Sequence, residues 1–89
     1  MKSRTTARFR SNFRALPVQI RRQARQAYKL FIQNPQHPGL RFKRVHSARP
    51  IYSARINRDY RVLGVQEDDT IIWFWIGPHA EYDKIVSQL

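Results

Sequence analysis

The stretch from Tyr52 to Tyr82 constrains the fold more than any other part of this sequence, because it contains two successive strand-turn-strand patterns. Apolar and β-branched residues recur here with short period, and two polar groups, Asn57-Arg58-Asp59 and Glu67-Asp68-Asp69, supply the turns. The run from Ile71 to Ile76 is apolar on both faces, which predicts the best-covered strand of a sheet. We therefore expect a sheet built around two hairpins.

Helical periodicity precedes these hairpins. Thr6 is the expected N-cap of a first helix, and Pro17 ends that helix and begins a second one that continues to about Gln33. The sequence further predicts a weak edge strand at 2–5, a strand at 40–45 and a helix or packed tail at 80–89. The expected fold class is α+β, one domain over residues 1–89. A helical hairpin covers one face of a curved, mainly antiparallel sheet, and a short helix follows at the C-terminus.

Two further expectations concern the two faces of the sheet. Trp73 and Trp75 should share one face of their strand, with Ile72, Phe74 and Ile76 on the other. The sheet face opposite the helical hairpin should lack a helix pair, and a basic binding surface is expected there.

The charge balance is strongly basic and predicts a polyanionic partner. Seventeen Lys and Arg stand against six Asp and Glu, which gives a net charge of +11. Cysteine is absent, so disulfides and cysteine-based zinc sites are excluded, and the histidines and acids show no spacing typical of a metal site. The longest apolar run is far shorter than the ~20 residues that span a bilayer. We expect a cytoplasmic protein with no membrane association, no metal and no small-molecule cofactor.

The first hairpin places two arginines opposite each other. If Asn57-Arg58-Asp59 forms the loop, Arg55 pairs with Arg61 across the ladder. Like charges at such positions destabilise a sheet, and a phosphate bound between the two guanidinium groups would relieve the repulsion. Alternatively, one arginine points to solvent and a nearby acidic residue neutralises the other. The sequence leaves both interpretations open.

An ordered set of segments resembles the RelE/ParE superfamily of toxins from type II toxin–antitoxin systems. The segments are FRSNFRALP, NPQHPG, RFKRV, YSARINRDYRV and WIGPHAEYDKI, and together they cover nearly the whole chain. The segment YSARINRDYRV is most similar to the RelE/YoeB/HigB side of this superfamily. The resemblance implies a RelE-like fold and a metal-independent endoribonuclease that cleaves messenger RNA, usually on the ribosome, to inhibit translation. It also implies a cognate antitoxin that covers the RNA-binding surface.

The resemblance assigns roles to particular residues. Arg61 matches the arginine that stabilises the scissile phosphate, and Arg55 matches a basic residue on the preceding strand. His79 and Tyr82 fall where relatives place acid–base residues, and histidine suits that role because its ordinary pKa, ~6.5, is close to neutrality. The expected contacts to the RNA backbone are Lys43, Arg41, Arg44, Arg49 and Arg58.

Other outcomes stay open for several of these residues. His79 can be a surface histidine beside a turn, and Tyr82 can be a core residue of the last helix. A glutamate that some YoeB-like members use as a base has no clear counterpart here. The ParE branch shares the fold without the nuclease residues and inhibits DNA gyrase, which makes gyrase inhibition the alternative function. A degenerate, non-toxic member that only binds its antitoxin is a further alternative.

Overall fold

The computed structural model describes residues 1–89 and contains three α-helices, a 3₁₀ turn and a five-stranded sheet. The elements, in chain order, are β1 (Lys2–Thr5), α1 (Ala7–Arg14), α2 (Val18–Gln33), the 3₁₀ turn (Pro38–Leu40), β2 (Lys43–Arg44), β3 (Ile51–Arg55), β4 (Tyr60–Glu67), β5 (Thr70–Pro78) and α3 (His79–Gln88). None of the helices is long and apolar enough to cross a membrane. The predicted α+β class is confirmed.

The sheet order is β1-β5-β4-β3-β2. All neighbouring strands are antiparallel except β1, which pairs in parallel with β5 at the edge. Both predicted hairpins form, since Asn57-Arg58-Asp59 joins β3 to β4, and Asp68 and Asp69 join β4 to β5. Asp68 adopts a left-handed conformation with φ 55°, which aspartate tolerates better than most residues.

The two helices at the N-terminus pack on one face of the sheet, which we call the α1/α2 face. Thr6 caps α1 as predicted, with its Oγ1 accepting a hydrogen bond from the Phe9 amide at 3.1 Å. The core on this face centres on Phe31 of α2, whose ring meets the Trp73 ring edge-on at 5.3 Å between centroids. Burial of this apolar layer holds the helices against the sheet.

The opposite face carries a second, smaller core beneath α3, and we call it the α3 face. It contains Ile51, Leu63, Trp75 and Tyr82, all of them buried. The expectation that this side lacks a helix pair is therefore met, but one helix does cover part of it.

The expected sharing of one face by Trp73 and Trp75 is wrong. Leu63 pairs with Trp75 but Gly64 pairs with Trp73, so Phe74 is an extra residue in β5 and forms a β-bulge. The bulge reverses the alternation. Trp73 consequently belongs to the core on the α1/α2 face, and Trp75 belongs to the core under α3.

The strand predicted at 40–45 is shorter than expected. Only Lys43 and Arg44 pair with β3, because Leu40 ends the 3₁₀ turn and Arg41 takes a left-handed conformation with φ 47°. The predicted alternation of burial is nevertheless present, since Leu40 is buried and Phe42 is half-buried while Arg41 and Lys43 are exposed.

Candidate functional site

Arg55 and Arg61 face each other across the β3–β4 ladder, as the sequence predicts. Both project from the α3 face. Ser53, two residues before Arg55, lies on that face because its Oγ accepts a hydrogen bond from the Tyr82 hydroxyl of α3 at 3.0 Å. No lysine or arginine is paired with a carboxylate, since the single ion pair in the structure joins His79 and Asp83. The structure therefore does not show the alternative in which an acidic residue pairs with one of these arginines.

The guanidinium of Arg61 is held by the turn that precedes it. Its Nη1 donates hydrogen bonds to the carbonyl oxygens of Asn57 at 2.7 Å, Arg58 at 3.2 Å and Tyr60 at 3.0 Å. Nη2 and Nε make no hydrogen bond to the protein. Because a guanidinium has five N–H donors in a planar fork, the free edge remains available to an oxyanion.

The electrostatics of Arg61 identify its charged neighbours. Burial lowers the pKa of the Arg61 guanidinium below its ordinary value, and the adjacent Arg55 guanidinium lowers it further. Arg41 acts in the same direction, whereas Tyr82 and Asp83 raise this pKa. Arginine nevertheless stays charged at neutral pH. We call Arg41, Arg55 and Arg61 the arginine cluster, and the repulsion that Arg55 and Arg41 exert on Arg61 makes it a site that favours a bound anion.

His79 lies at the start of α3, next to the turn that holds Arg61. Its backbone N–H donates to the Asp59 carbonyl at 2.7 Å. The side chain is 47% exposed, and its Nδ1 is 3.2 Å from Oδ2 of Asp83, one helical turn further on. The ring therefore turns its Nδ1 toward a carboxylate, and its Nε2 makes no hydrogen bond to the protein, which leaves Nε2 open to a substrate.

Tyr82 is buried, with 8% of the residue exposed, and its ring centroid is 5.8 Å from that of His79. Its hydroxyl is engaged with Ser53, which is also buried. This environment favours the core role that the sequence left open. Proton donation by Tyr82 stays a prediction.

The remaining predicted RNA contacts are distributed unevenly. Lys43 pairs with Ser53 and so shares the face of the arginine cluster, and Arg58 is exposed within the β3–β4 turn. Arg44 pairs with Tyr52 on the other face, and its Nε donates to the His46 carbonyl at 2.9 Å. Arg49 lies in the loop before Ile51, at the end of β3 opposite to Arg55.

Asp83 is the site residue that the sequence analysis did not select. The sequence contained part of the signal, because Asp83 follows His79 by four residues, but the predicted helix began at 80 and the observed helix begins at His79, which places the two on one face. Gly77 also contributes to the site. It pairs with Arg61 across the β4–β5 ladder, and a Cβ there would lie 2.6 Å from the Trp75 ring, so the ring packs directly on the strand backbone.

Comparison with protein-family models gives a match to the ParE-like toxin domain over residues 18–84. The chain belongs to this family. The match covers all of the site described above, from α2 to the first turns of α3, and it confirms the resemblance to the RelE/ParE superfamily of type II toxins. No curated protein sequence matches the chain significantly.

Solved structures show the same fold at low sequence identity. The RelB–RelE antitoxin–toxin complex from Methanococcus jannaschii matches with a TM-score of 0.74 and 16% identity, covering 92% of this chain and 96% of that chain. YafQ from E. coli strain BL21(DE3) matches with a TM-score of 0.70 and 15% identity, covering 91% and 96%. The isolated E. coli RelE toxin matches with a TM-score of 0.67 and 14% identity, covering 99% and 98%.

Proposed function

We propose that this toxin is a metal-independent endoribonuclease that cleaves messenger RNA on the ribosome and so inhibits translation. The observation that carries the proposal is the unpaired arginine cluster on the α3 face, with the imidazole of His79 beside the same turn. The likeness of the fold to RelE and YafQ toxins supports it.

Binding of the RNA backbone is the task of the positive charges. Arg55 and Arg61 bind the scissile phosphate through the free N–H groups of their guanidinium forks, and Arg41 and Lys43 bind neighbouring phosphates. Each phosphate neutralised on a single strand adds about −0.7 to the slope of log K against log salt concentration. Arg58, Arg44 and Arg49 stay predicted contacts to the RNA backbone.

Cleavage requires a proton acceptor and stabilisation of a pentacoordinate phosphorane. His79 Nε2 takes the proton from the ribose 2′-hydroxyl, whose oxygen attacks the adjacent phosphorus. Arg61 and Arg55 stabilise the extra negative charge on the phosphoryl oxygens. The bond from phosphorus to the 5′-oxygen then breaks, and that oxygen takes a proton from water or from Tyr82. The products are a 2′,3′-cyclic phosphate and a free 5′-hydroxyl.

A cognate antitoxin is the second proposed partner. The neighbouring structure from M. jannaschii, and another from Pyrococcus horikoshii, are complexes of RelE with RelB. We expect the antitoxin of this chain to cover the arginine cluster and thereby to compete with RNA.

Gyrase inhibition is the alternative function, and one finding favours it: the matching family model is described as ParE-like. The two functions differ in which process stops first after the toxin is produced. Early loss of intact messenger RNA supports the nuclease, whereas DNA damage with intact messenger RNA supports gyrase inhibition.

The test is induced expression of the wild type and two variants, with messenger RNA integrity and growth as readouts. His79→Ala and Arg61→Ala should each relieve growth arrest and preserve messenger RNA. Arg22→Ala is the matched control for the loss of an arginine, since Arg22 is exposed on α2 and forms no ion pair, and this variant should stay toxic. Full toxicity of both site variants would refute the catalytic assignment.

A further inference from the structure

Asn57 is half-buried at the start of the β3–β4 turn and makes four hydrogen bonds, three within the turn and one to α2. Its Oδ1 accepts hydrogen bonds from the backbone N–H groups of Asp59 at 2.8 Å and Tyr60 at 3.0 Å. Its Nδ2 donates to Oε1 of Gln23 on α2, and its carbonyl accepts from Nη1 of Arg61 at 2.7 Å. One residue therefore links the backbone of the turn, the helix and the guanidinium.

The guanidinium of Arg61 needs such support. Its neighbours Arg55 and Arg41 are both positively charged and repel it, and an arginine side chain has several rotatable bonds. The three carbonyl oxygens that hold Nη1 all belong to residues 57–60, and the Asn57 carbonyl makes the shortest of these contacts. If this turn opened, the acceptors would separate and the repulsion would move the guanidinium away from its partner arginine.

Gln23 anchors this turn to the rest of the fold. It lies 34 residues before Asn57 in the chain, and the bond between the two side chains is half-buried. Both residues line a cleft of about 290 Å³ between α2 and β3, which Arg55 also lines. The hydrogen bond between these two amides therefore ties the turn to α2.

We propose that Asn57 is a positioning residue that fixes the Arg61 guanidinium for phosphate binding, and that Gln23 supports it by tying the turn to α2. The positioning of Arg61 follows from the geometry alone, and its effect on RNA cleavage rests on the proposed function. Asn57→Ala removes both side-chain contacts to the turn amides. Asn57→Asp keeps the Oδ1 acceptor, and the amide of Gln23 can rotate to donate to the new carboxylate.

The experiment combines a spectroscopic readout with RNA cleavage kinetics on the full chain. In ¹⁵N spectra of the arginine side chains, the wild type should show separate, slowly exchanging Nη signals for Arg61, because hydrogen bonds hinder rotation about Nε–Cζ. Asn57→Ala should merge these signals and lower kcat about 10- to 100-fold, the cost of displacing a catalytic group by about 1 Å. Asn57→Asp should restore the signals and most of the rate, and Gln23→Ala should give an intermediate result.

Asn34→Ala is the matched control, because its Oδ1 also accepts a backbone N–H two residues on, from Gln36 at 3.1 Å, in the loop after α2. It should leave the Arg61 signals and the rate unchanged. Unchanged Arg61 signals in folded Asn57→Ala would overturn the proposal, and so would equal losses of rate in the Ala and Asp variants. If the wild type cleaves no RNA, the proposed function fails, and the Nη signals still decide whether Asn57 positions Arg61.

Discussion

Replacing Arg55 by glutamine should make the fold more stable and RNA binding weaker. Arg55 lies directly opposite Arg61, and no carboxylate pairs with either. Like charges opposite each other in a ladder cost about 0.2–1 kcal/mol. Both residues are partly exposed, so we take about 0.5 kcal/mol as the gain on removing one charge. For a domain of this size that gain raises the melting temperature by about 2–4 °C.

RNA binding should change in the opposite direction. Loss of one charge-assisted phosphate contact, worth about 1.5–3 kcal/mol, lowers affinity at least about 10-fold. The slope of log K against log salt should become shallower by about 0.7. Arg22→Gln is the matched control, since Arg22 is exposed on α2, makes no hydrogen bond or ion pair, and changes the net charge equally.

The assays are thermal unfolding at low and high salt, and titration of a short RNA. The stability gain of Arg55→Gln should shrink in 1 M salt, because charges are then screened beyond about 3 Å. A variant that is less stable than the wild type at low salt, yet binds RNA as tightly, would refute the reasoning. A gain equal to that of Arg22→Gln would show that only net charge matters.

Three other substitutions test the packing and chemistry around the site. Gly77→Ala should cost about 1–3 kcal/mol in urea unfolding, because its Cβ meets the buried Trp75 ring; an unchanged midpoint would show that the ring moves freely. Tyr82→Phe should cost about 1 kcal/mol, and adding Ser53→Ala should cost less than the sum of the single changes, since the two hydroxyls share one bond; strict additivity would rule that bond out. Asp83→Ala should lower the RNA cleavage rate about 10-fold without loss of helix by circular dichroism, because the imidazole loses the carboxylate that faces its Nδ1; a wild-type rate would exclude this orienting role.

The register of the first hairpin was predictable because the residues of its turn can be recognised in the sequence. Asn57-Arg58-Asp59 is the only break between two apolar-rich segments, and a turn at that place makes Arg55 and Arg61 partners. The unusual feature is the repulsion between these two arginines, and the residue types together with the register were enough to predict it.

The faces of β5 were not predictable in the same way. The run from Ile71 to Ile76 is apolar at every position, so its hydrophobic pattern is the same with or without a bulged residue. The bulge at Phe74 becomes evident only when Trp73 and Trp75 are seen in different cores. Gly64 was the nearest clue, since a Cβ there would lie 2.7 Å from the Trp73 ring.

Part of the site could not be predicted from the sequence because it depends on hydrogen bonds between distant segments. Asn57 is recognisable as a turn residue from sequence, but its bond to Gln23 spans 34 residues. The left-handed conformation of Arg41 likewise follows from the 3₁₀ turn before it, and the observed strand lacks the first three residues and the last residue of the predicted one. The contact between His79 and Asp83, by contrast, requires only that the predicted C-terminal helix begin one residue earlier, at His79.

The most direct test of the RNA site is an NMR titration of the intact chain with a short RNA whose 2′-hydroxyls are methylated, so that binding occurs without cleavage. We predict that the largest chemical-shift changes fall on the side-chain signals of Arg55 and Arg61 and on the imidazole of His79. Shifts confined to the outer surfaces of α1 and α2, with these three residues unchanged, would contradict it.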